Sequence, residues 1–179
     1  MSSSSYLPFL RNRRFTGRTE KLKDLEERLI IRKDCQKLAV VGLGGVGKTQ
    51  VVLELAYTVK ERWPAYSIYW VPAVSAESFE QAYRDIATQC SVALNPTEED
   101  PKESVRRYLN SGSAGKWLLI VDNADDQEIL FGALGEVGGV TSYLPESENG
   151  LTLFTTRYRE IAVSLADSEV IEIQEMDYQ

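Results

Sequence analysis

Gly42-Leu43-Gly44-Gly45-Val46-Gly47-Lys48-Thr49 follows directly on the apolar run Leu38-Ala39-Val40-Val41. The eight residues satisfy G-x-x-x-x-G-K-[ST] at every fixed position, between a predicted strand and a predicted helix. Glycines at 44, 45 and 47 permit positive φ and leave no Cβ between the backbone N–H groups and an anion. With the positive end of the helix that starts here, those N–H groups form an anion cradle. Lys48 is placed to reach β- and γ-phosphates, and the Thr49 hydroxyl to ligate Mg²⁺. The candidate nucleotide-binding set in this stretch is Gly42, Gly44, Gly45, Val46, Gly47, Lys48, Thr49 and Gln50. A nucleoside triphosphate, or its diphosphate product, is the expected ligand.

Two other glycine-rich readings fail. The same residues spell the dinucleotide fingerprint G-x-G-x-x-G, which expects an acid for the ribose about 20 residues on, at the end of the next strand. Here the next strand, Tyr66-Ser67-Ile68-Tyr69-Trp70-Val71, runs into Pro72 with no acid. A protein-kinase loop requires a catalytic-loop His, and the chain has none.

Composition narrows the class. At 179 residues and 43% hydrophobic, the chain has the size of one globular domain with a sizeable core. Its net charge of −7 argues against a general nucleic-acid-binding surface. The basic cluster Arg11, Arg13 and Arg14 is local and reads as a solvated segment or a nucleotide edge. Without His, Ser-His-Asp, Cys-His and His-metal chemistries drop out together. Cys35 and Cys90 match no zinc or redox spacing and read as ordinary buried thiols in a reducing, cytoplasmic compartment. No apolar run approaches the roughly 18–20 residues that span a bilayer, and Met1-Ser2-Ser3-Ser4-Ser5 lacks the features of a signal peptide.

Periodicity organises the remainder. Residues 1–8 read as a disordered segment and 9–179 as one domain. A helix is predicted over about Thr19 to Ile30, with Leu22, Leu25 and Leu29 as its buried stripe. The helix after the phosphate loop turns Val51, Val52, Leu55, Ala56 and Val59 inward and stops at Trp63-Pro64. Further helices are predicted from about Ala76 to Cys90, from Asp100-Pro101-Lys102-Glu103 to Ser111-Gly112, from Asp126 to Leu134 and from Tyr158 to Leu165. Five short apolar strands alternate with them: Lys37–Val41, Tyr66–Val71, Trp117–Val121, Leu151–Thr155 and Val170–Ile173. This pattern predicts an α/β, three-layer P-loop NTPase domain whose five-stranded parallel sheet has the order 2-3-4-1-5 and helices on both faces. Its ligand belongs at the C-terminal strand ends, where Gly42, Asp122 and Thr155 would meet.

Two further segments carry chemistry. Leu118-Leu119-Ile120-Val121-Asp122 is an apolar strand ending in an acid that is suited to holding a Mg²⁺-bound water beside Thr49. Many ATPases carry a second acid next, as general base; here the residue is Asn123, an amide that orients water but takes no proton. Asp125 and Asp126 lie close enough in sequence to substitute, but read first as helix caps for the segment at Gln127. Leu151-Thr152-Leu153-Phe154-Thr155-Thr156-Arg157 ends a strand in two hydroxyls and a guanidinium, the group best suited to reading a γ-phosphate. Lys48, Asp122, Asn123 and Arg157 are the candidate catalytic residues, with Thr49 and Asp122 as the metal ligands. No Asn-Lys-x-Asp guanine segment is present, which ranks a P-loop GTPase last.

With Phe15-Thr16-Gly17-Arg18, the phosphate loop, Leu-Leu-Ile-Val-Asp-Asn-Ala-Asp-Asp and Leu-Phe-Thr-Thr-Arg in one order, the chain resembles the NB-ARC domains of signal-transducing P-loop NTPases, the fungal branch above all. The resemblance runs from about Phe9 to Met176. It implies ATP/ADP binding with Mg²⁺, an adenine contact at Phe15, Thr16 and Arg18, and slow ATP hydrolysis that switches a receptor in innate-immune-type signalling. A non-catalytic, nucleotide-dependent assembly module is the alternative. The partners it implies are the parent receptor's ARC subdomains, which this sequence lacks, its repeat sensor and N-terminal effector, and further copies of itself; neither nucleic acid nor membrane is implied.

Overall fold

The computed structural model describes residues 5–12, 17, 19–33, 35–44, 47–92, 100–133 and 138–174. Strands β1 (Ser5–Tyr6), β2 (Lys37–Val41), β3 (Ser67–Pro72), β4 (Trp117–Asp122), β5 (Gly150–Thr156) and β6 (Val170–Glu172) form one sheet. Its order is β1-β3-β4-β5-β2-β6, and every neighbouring pair is parallel. The helices are α1 (Thr19–Glu26), α2 (Lys48–Arg62), α3 (Ala76–Gln89), α4 (Pro101–Asn110), α5 (Gln127–Phe131) and α6 (Arg159–Ala166).

Each strand feeds two cores by simple alternation, because successive side chains leave opposite faces of a sheet. Leu38, Val40, Ile68, Trp70, Leu118, Ile120, Leu151 and Leu153 pack with α1 and α2. Ala39, Val41, Tyr69, Val71, Trp117, Leu119, Val121 and Phe154 pack on the other face with α3, α4, α5 and α6. Both faces being covered, the strand bodies need no polar side, which is why β2 and β4 read as near-continuous apolar runs. The helix starts follow local chemistry. Asp100 caps α4 by accepting from the Lys102 N–H, with Pro101 in the first turn.

The sheet corrects the expected strand count. Among the described residues there are six strands, not five; the five foreseen keep the expected order and β1 is added at the edge. A two-residue strand has no periodicity to read. Tertiary contacts hold it instead: Ser5 and Tyr6 pair with Ile68 and Tyr69, and the Tyr6 hydroxyl donates to Asp85 at 2.9 Å. This strand lies inside the 1–8 segment expected to be disordered. Smaller differences follow the same logic. The first helix widens into a π-turn over Glu27–Ile31, which buries both Leu29 and Ile30. The helix after β4 is shorter than its pattern, ending at Phe131. Cys35 and Cys90 are only half-buried, and neither forms a disulfide.

Candidate phosphate-binding site at the strand tips

The strand order makes the site. β5 lies between β2 and β4, so its tip separates the loop that leaves β2 from the acid that ends β4. Register places Val41 opposite Thr156 and Val121 opposite Phe154, which aligns the three tips. α2 starts at Lys48 on the end of the β2 loop and brings Thr49 to Asp122, its hydroxyl 3.2 Å from Oδ1 and 3.4 Å from Oδ2.

Gly47 precedes α2 with φ of 88°, in the left-handed region, and a Cβ there would meet nothing within 4 Å. Backbone conformation, not crowding, requires glycine at this position. Gly44 departs from the expectation of positive φ. A Cβ on Gly44 would make only ordinary van der Waals contact, 3.6 Å from the Arg157 guanidinium carbon, so space does not by itself demand glycine there. Gly45 and Val46 lie outside the described residues, as do Phe15, Thr16 and Arg18. Gly42 is buried, and its N–H donates to the Thr156 carbonyl at 3.2 Å. Gln50, in the first turn of α2, accepts from the Asn12 amide at 3.4 Å. That contact ends a path along α2 in which Tyr57 donates to the Phe9 carbonyl and Arg11 pairs with Glu54 and Glu61. Arg11 of the basic cluster is therefore bound to acids of α2, and Arg13 and Arg14 lie outside the described residues.

Two buried charges define the electrostatics. Lys48 is 8% exposed and donates to the Leu43 carbonyl at 3.0 Å. Burial pushes its ammonium below the usual lysine range; Asp125 and Asp122 oppose that shift and the nearby Arg157 adds to it. Asp122 is 3% exposed, and burial pushes its carboxyl up. Hydrogen bonds from Thr155, Thr49 and the Asn123 backbone, and the Lys48 charge, pull it back toward ionisation. The strongest of these is the Thr155 hydroxyl, buried completely and 2.5 Å from Asp122 Oδ1. Thr155 in turn accepts from the Asn123 N–H at 2.9 Å.

Asn123 sits where a second acid would stand. Its φ of 59° is left-handed, a conformation Asn adopts more readily than most side chains. Its side-chain amide donates to Asp122 Oδ2 at 3.3 Å. Beyond it the neighbouring aspartates divide. Asp126 caps α5, accepting from the N–H groups of Glu128 and Ile129. Asp125 turns to β5 and accepts from the Thr156 hydroxyl and the Arg157 N–H. The structure thus brings together Gly42, Gly44, Thr49, Asp122, Asn123 and Arg157, with Lys48 close by. The structure also shows what Thr155, Thr156 and Asp125 bond to: those partners lie on neighbouring elements and leave no mark in a linear motif.

The donor set fits a phosphate and a hard divalent cation. One hydroxyl and one carboxylate oxygen donor, from Thr49 and Asp122, suit Mg²⁺, which keeps several waters and takes few protein ligands. Lys48, Arg157 and the N-terminus of the 15-residue α2 supply positive potential on the same side.

Comparison with known proteins agrees with this arrangement. A family model described as the NB-ARC domain matches residues 18–178. A nucleotide-binding leucine-rich repeat (NLR)-like protein of Hyaloscypha variabilis is 38% identical over 95% of this chain, which spans only 18% of that protein's length. Among solved structures, Cdc6p of Pyrobaculum aerophilum superposes with a TM-score of 0.64 at 13% identity, covering 93% of this chain and 48% of that one. A Walker-type ATPase of Pyrococcus abyssi gives 0.60 at 14% identity, over 96% of this chain and 57% of its own. These two share the α/β P-loop NTPase fold with the present chain.

Proposed function

The chain belongs to the NB-ARC domain family, and from that premise we propose that it is the ATP/ADP-binding switch module of a signal-transducing receptor, with slow Mg²⁺-dependent ATP hydrolysis. The observation that carries this reading is the convergence around Lys48 of Thr49 at the start of α2, Asp122 at the tip of β4 and Arg157 just past β5. Phosphates are held by backbone N–H groups from Gly44 to Gln50 and by the Lys48 ammonium, the Gly42 N–H being bonded to the Thr156 carbonyl. Thr49 and Asp122 would hold Mg²⁺, which when bound would neutralise phosphate charge. Arg157, its guanidinium already against Gly44, is the group that distinguishes a third phosphate from none. Adenine is assigned to Phe15, Thr16 and Arg18 by family resemblance. The path of residues 9–12 along α2 to Gln50 supports it, since it leads the chain toward the start of the phosphate-loop helix.

Hydrolysis is slow in this reading because the strand-tip carboxylates are committed. Asp126 caps α5, Asp125 accepts from the β5 tip, and Asn123 donates its amide to Asp122. A bound triphosphate and a bound diphosphate differ in their contacts with Arg157 and the metal, which is the differential interaction a switch requires. The similarity to an NLR-like protein, of whose length this chain spans 18%, supports placing this module in a larger multi-domain receptor with a repeat sensor; a cytoplasmic setting, an effector and nucleotide-dependent self-association are further parts of the proposal.

The same three commitments favour a second reading, a non-catalytic module whose assembly follows the nucleotide bound. Single-turnover hydrolysis of radiolabelled ATP decides between them. Decay of ATP that is lost in Lys48→Ala supports the switch; ATP bound but unchanged over many hours supports the assembly module. Displacement of ATP by GTP at equal concentration would overturn the adenine assignment.

A further inference from the structure

Asp125 is open, from sequence, between a helix cap and a general base, and its contacts fit neither. Asp126 caps α5. Asp125 Oδ1 instead accepts two hydrogen bonds from the adjacent strand tip, at 3.1 Å from Thr156 Oγ1 and at 2.7 Å from the Arg157 N–H. The left-handed turn at Asn123 makes this reach possible. It folds the chain back so that the Ala124 N–H bonds to the Thr155 carbonyl at 2.8 Å and the next side chain faces β5. Thr156 extends the link, because its carbonyl accepts from the Gly42 N–H at 3.2 Å. One carboxylate therefore ties the β4 loop, the tip of β5 and the entrance of the phosphate loop into a continuous hydrogen-bonded chain.

We propose that Asp125 is a positioning residue: it fixes the backbone from which Arg157 extends over Gly44, and so sets the preference for a nucleoside triphosphate over a diphosphate. This rests on the nucleotide-switch reading above. Arg is a long side chain, and a guanidinium finds a phosphate with fixed geometry only if its root does not move. A backbone N–H on a carboxylate is a charge-assisted bond, among the firmer anchors open to a loop. Asp125 also opposes the depression of Lys48 more than Asp122 does, which places its charge beside the second phosphate-facing cation.

The test is a comparison of ADP with a non-hydrolysable ATP analogue, in Mg²⁺, by titration calorimetry on the 179-residue chain. Asp125→Ala is expected to lower the triphosphate-over-diphosphate preference about tenfold, the scale of one charge-assisted hydrogen bond. Asp125→Asn keeps the Oδ1 acceptor and should stay within about threefold of wild type. In an Arg157→Ala background, Asp125→Ala should leave the ratio unchanged. Equal weakening of both nucleotides, or an Asn variant no better than Ala, overturns the proposal. Should Asp125→Ala fail to fold, Thr156→Val removes one of the two bonds from the other side and should move the ratio in the same direction by less. Amide exchange at Arg157 in nucleotide-free protein gives an independent readout: slow in wild type and Asp125→Asn, fast in Asp125→Ala. Fast exchange in wild type refutes the clamp whatever binds. A protected amide in a chain that binds neither nucleotide refutes the switch reading and the phosphate half of this proposal together, with the clamp itself standing.

Discussion

Strand β4 holds two kinds of burial within six residues. From Trp117 to Val121 every side chain is apolar and faces one of the two cores. Asp122, next in line and 3% exposed, carries a charge into the same depth. β5 repeats the contrast, with Leu153 and Phe154 in the cores and Thr155 and Thr156 fully buried just beyond. Burying the apolar part stabilises the fold by about 1.5–3 kcal/mol per large side chain. Burying Asp122 works against stability, and the shift of its carboxyl toward protonation records the cost. The strand bodies thus answer to folding, whereas the tips hold groups that folding alone would discard.

Changes at the tips should therefore separate ligand binding from stability, and changes in the bodies should not. The largest effect is expected from Lys48→Ala. Removing an ammonium that faces several phosphate oxygens should weaken ATP by about 1000-fold or more, with thermal stability unchanged or raised, because burial already disfavours that charge. Calorimetric titration and a melting curve test both halves. ATP affinity within about threefold of wild type would remove the site from this end of the sheet.

Gly150→Ala probes the opposite end. A Cβ on Gly150 would overlap the indole of Trp117, which is buried, donates to the Leu109 carbonyl at 2.9 Å and has little room to move. A loss of about 3 kcal/mol is expected in denaturant unfolding, with nucleotide affinity of the folded fraction unaltered. Altered affinity at full folding would mean that the bodies and the tips are not separable.

Arg157→Ala sharpens the contrast inside the site itself. Losing charge-assisted bonds to a third phosphate should cost ATP about 10- to 150-fold and ADP little. Equal weakening of the two would reduce Arg157 to a structural residue.

Much of this was open to reading in the chain because motif and periodicity are local. Gly42 to Thr49 announces its loop by residue type, and Leu118 to Asp122 its strand and acid by the abrupt change from apolar to charged. What stayed hidden depends on neighbours brought in from elsewhere. β1 has two residues and is held by Asp85 and the edge of β3. Asp125 and Asp126 are adjacent and chemically identical, and only the left-handed turn at Asn123 sends one to β5 and leaves the other to cap α5. The strand pattern brings Thr155 to the same sheet end as Asp122, but that its hydroxyl is the closest partner of that acid shows only once β5 is seen beside β4. Gly44 shows the same gap: its composition signals a turn, while its contact is with a guanidinium more than a hundred positions away in the chain.

Asn123→Asp should give the smallest effect, and it tests whether the tips are built for hydrolysis or against it. By motif alone, restoring the second acid adds a general base, worth about 100-fold or more when well placed. The geometry argues for less. The Asn123 amide now donates to Asp122 Oδ2 at 3.3 Å, and a carboxylate there meets another carboxylate without a proton between them. Either the new side chain turns away toward solvent, where it can activate water, or it drives one of the pair to hold a proton and weakens the metal site. The first outcome should raise single-turnover ATP hydrolysis by about tenfold, with affinity for Mg²⁺·ATP little changed. The second should leave the rate flat and weaken Mg²⁺·ATP while sparing metal-free ATP. Titrating the variant with and without Mg²⁺ beside the rate measurement separates the two. A gain of about 100-fold or more would show that Asn123 was the sole brake and that Asp125 and Asp126 never acted as bases. A flat rate with unchanged metal dependence would place the water-activating group outside this chain and favour the assembly module.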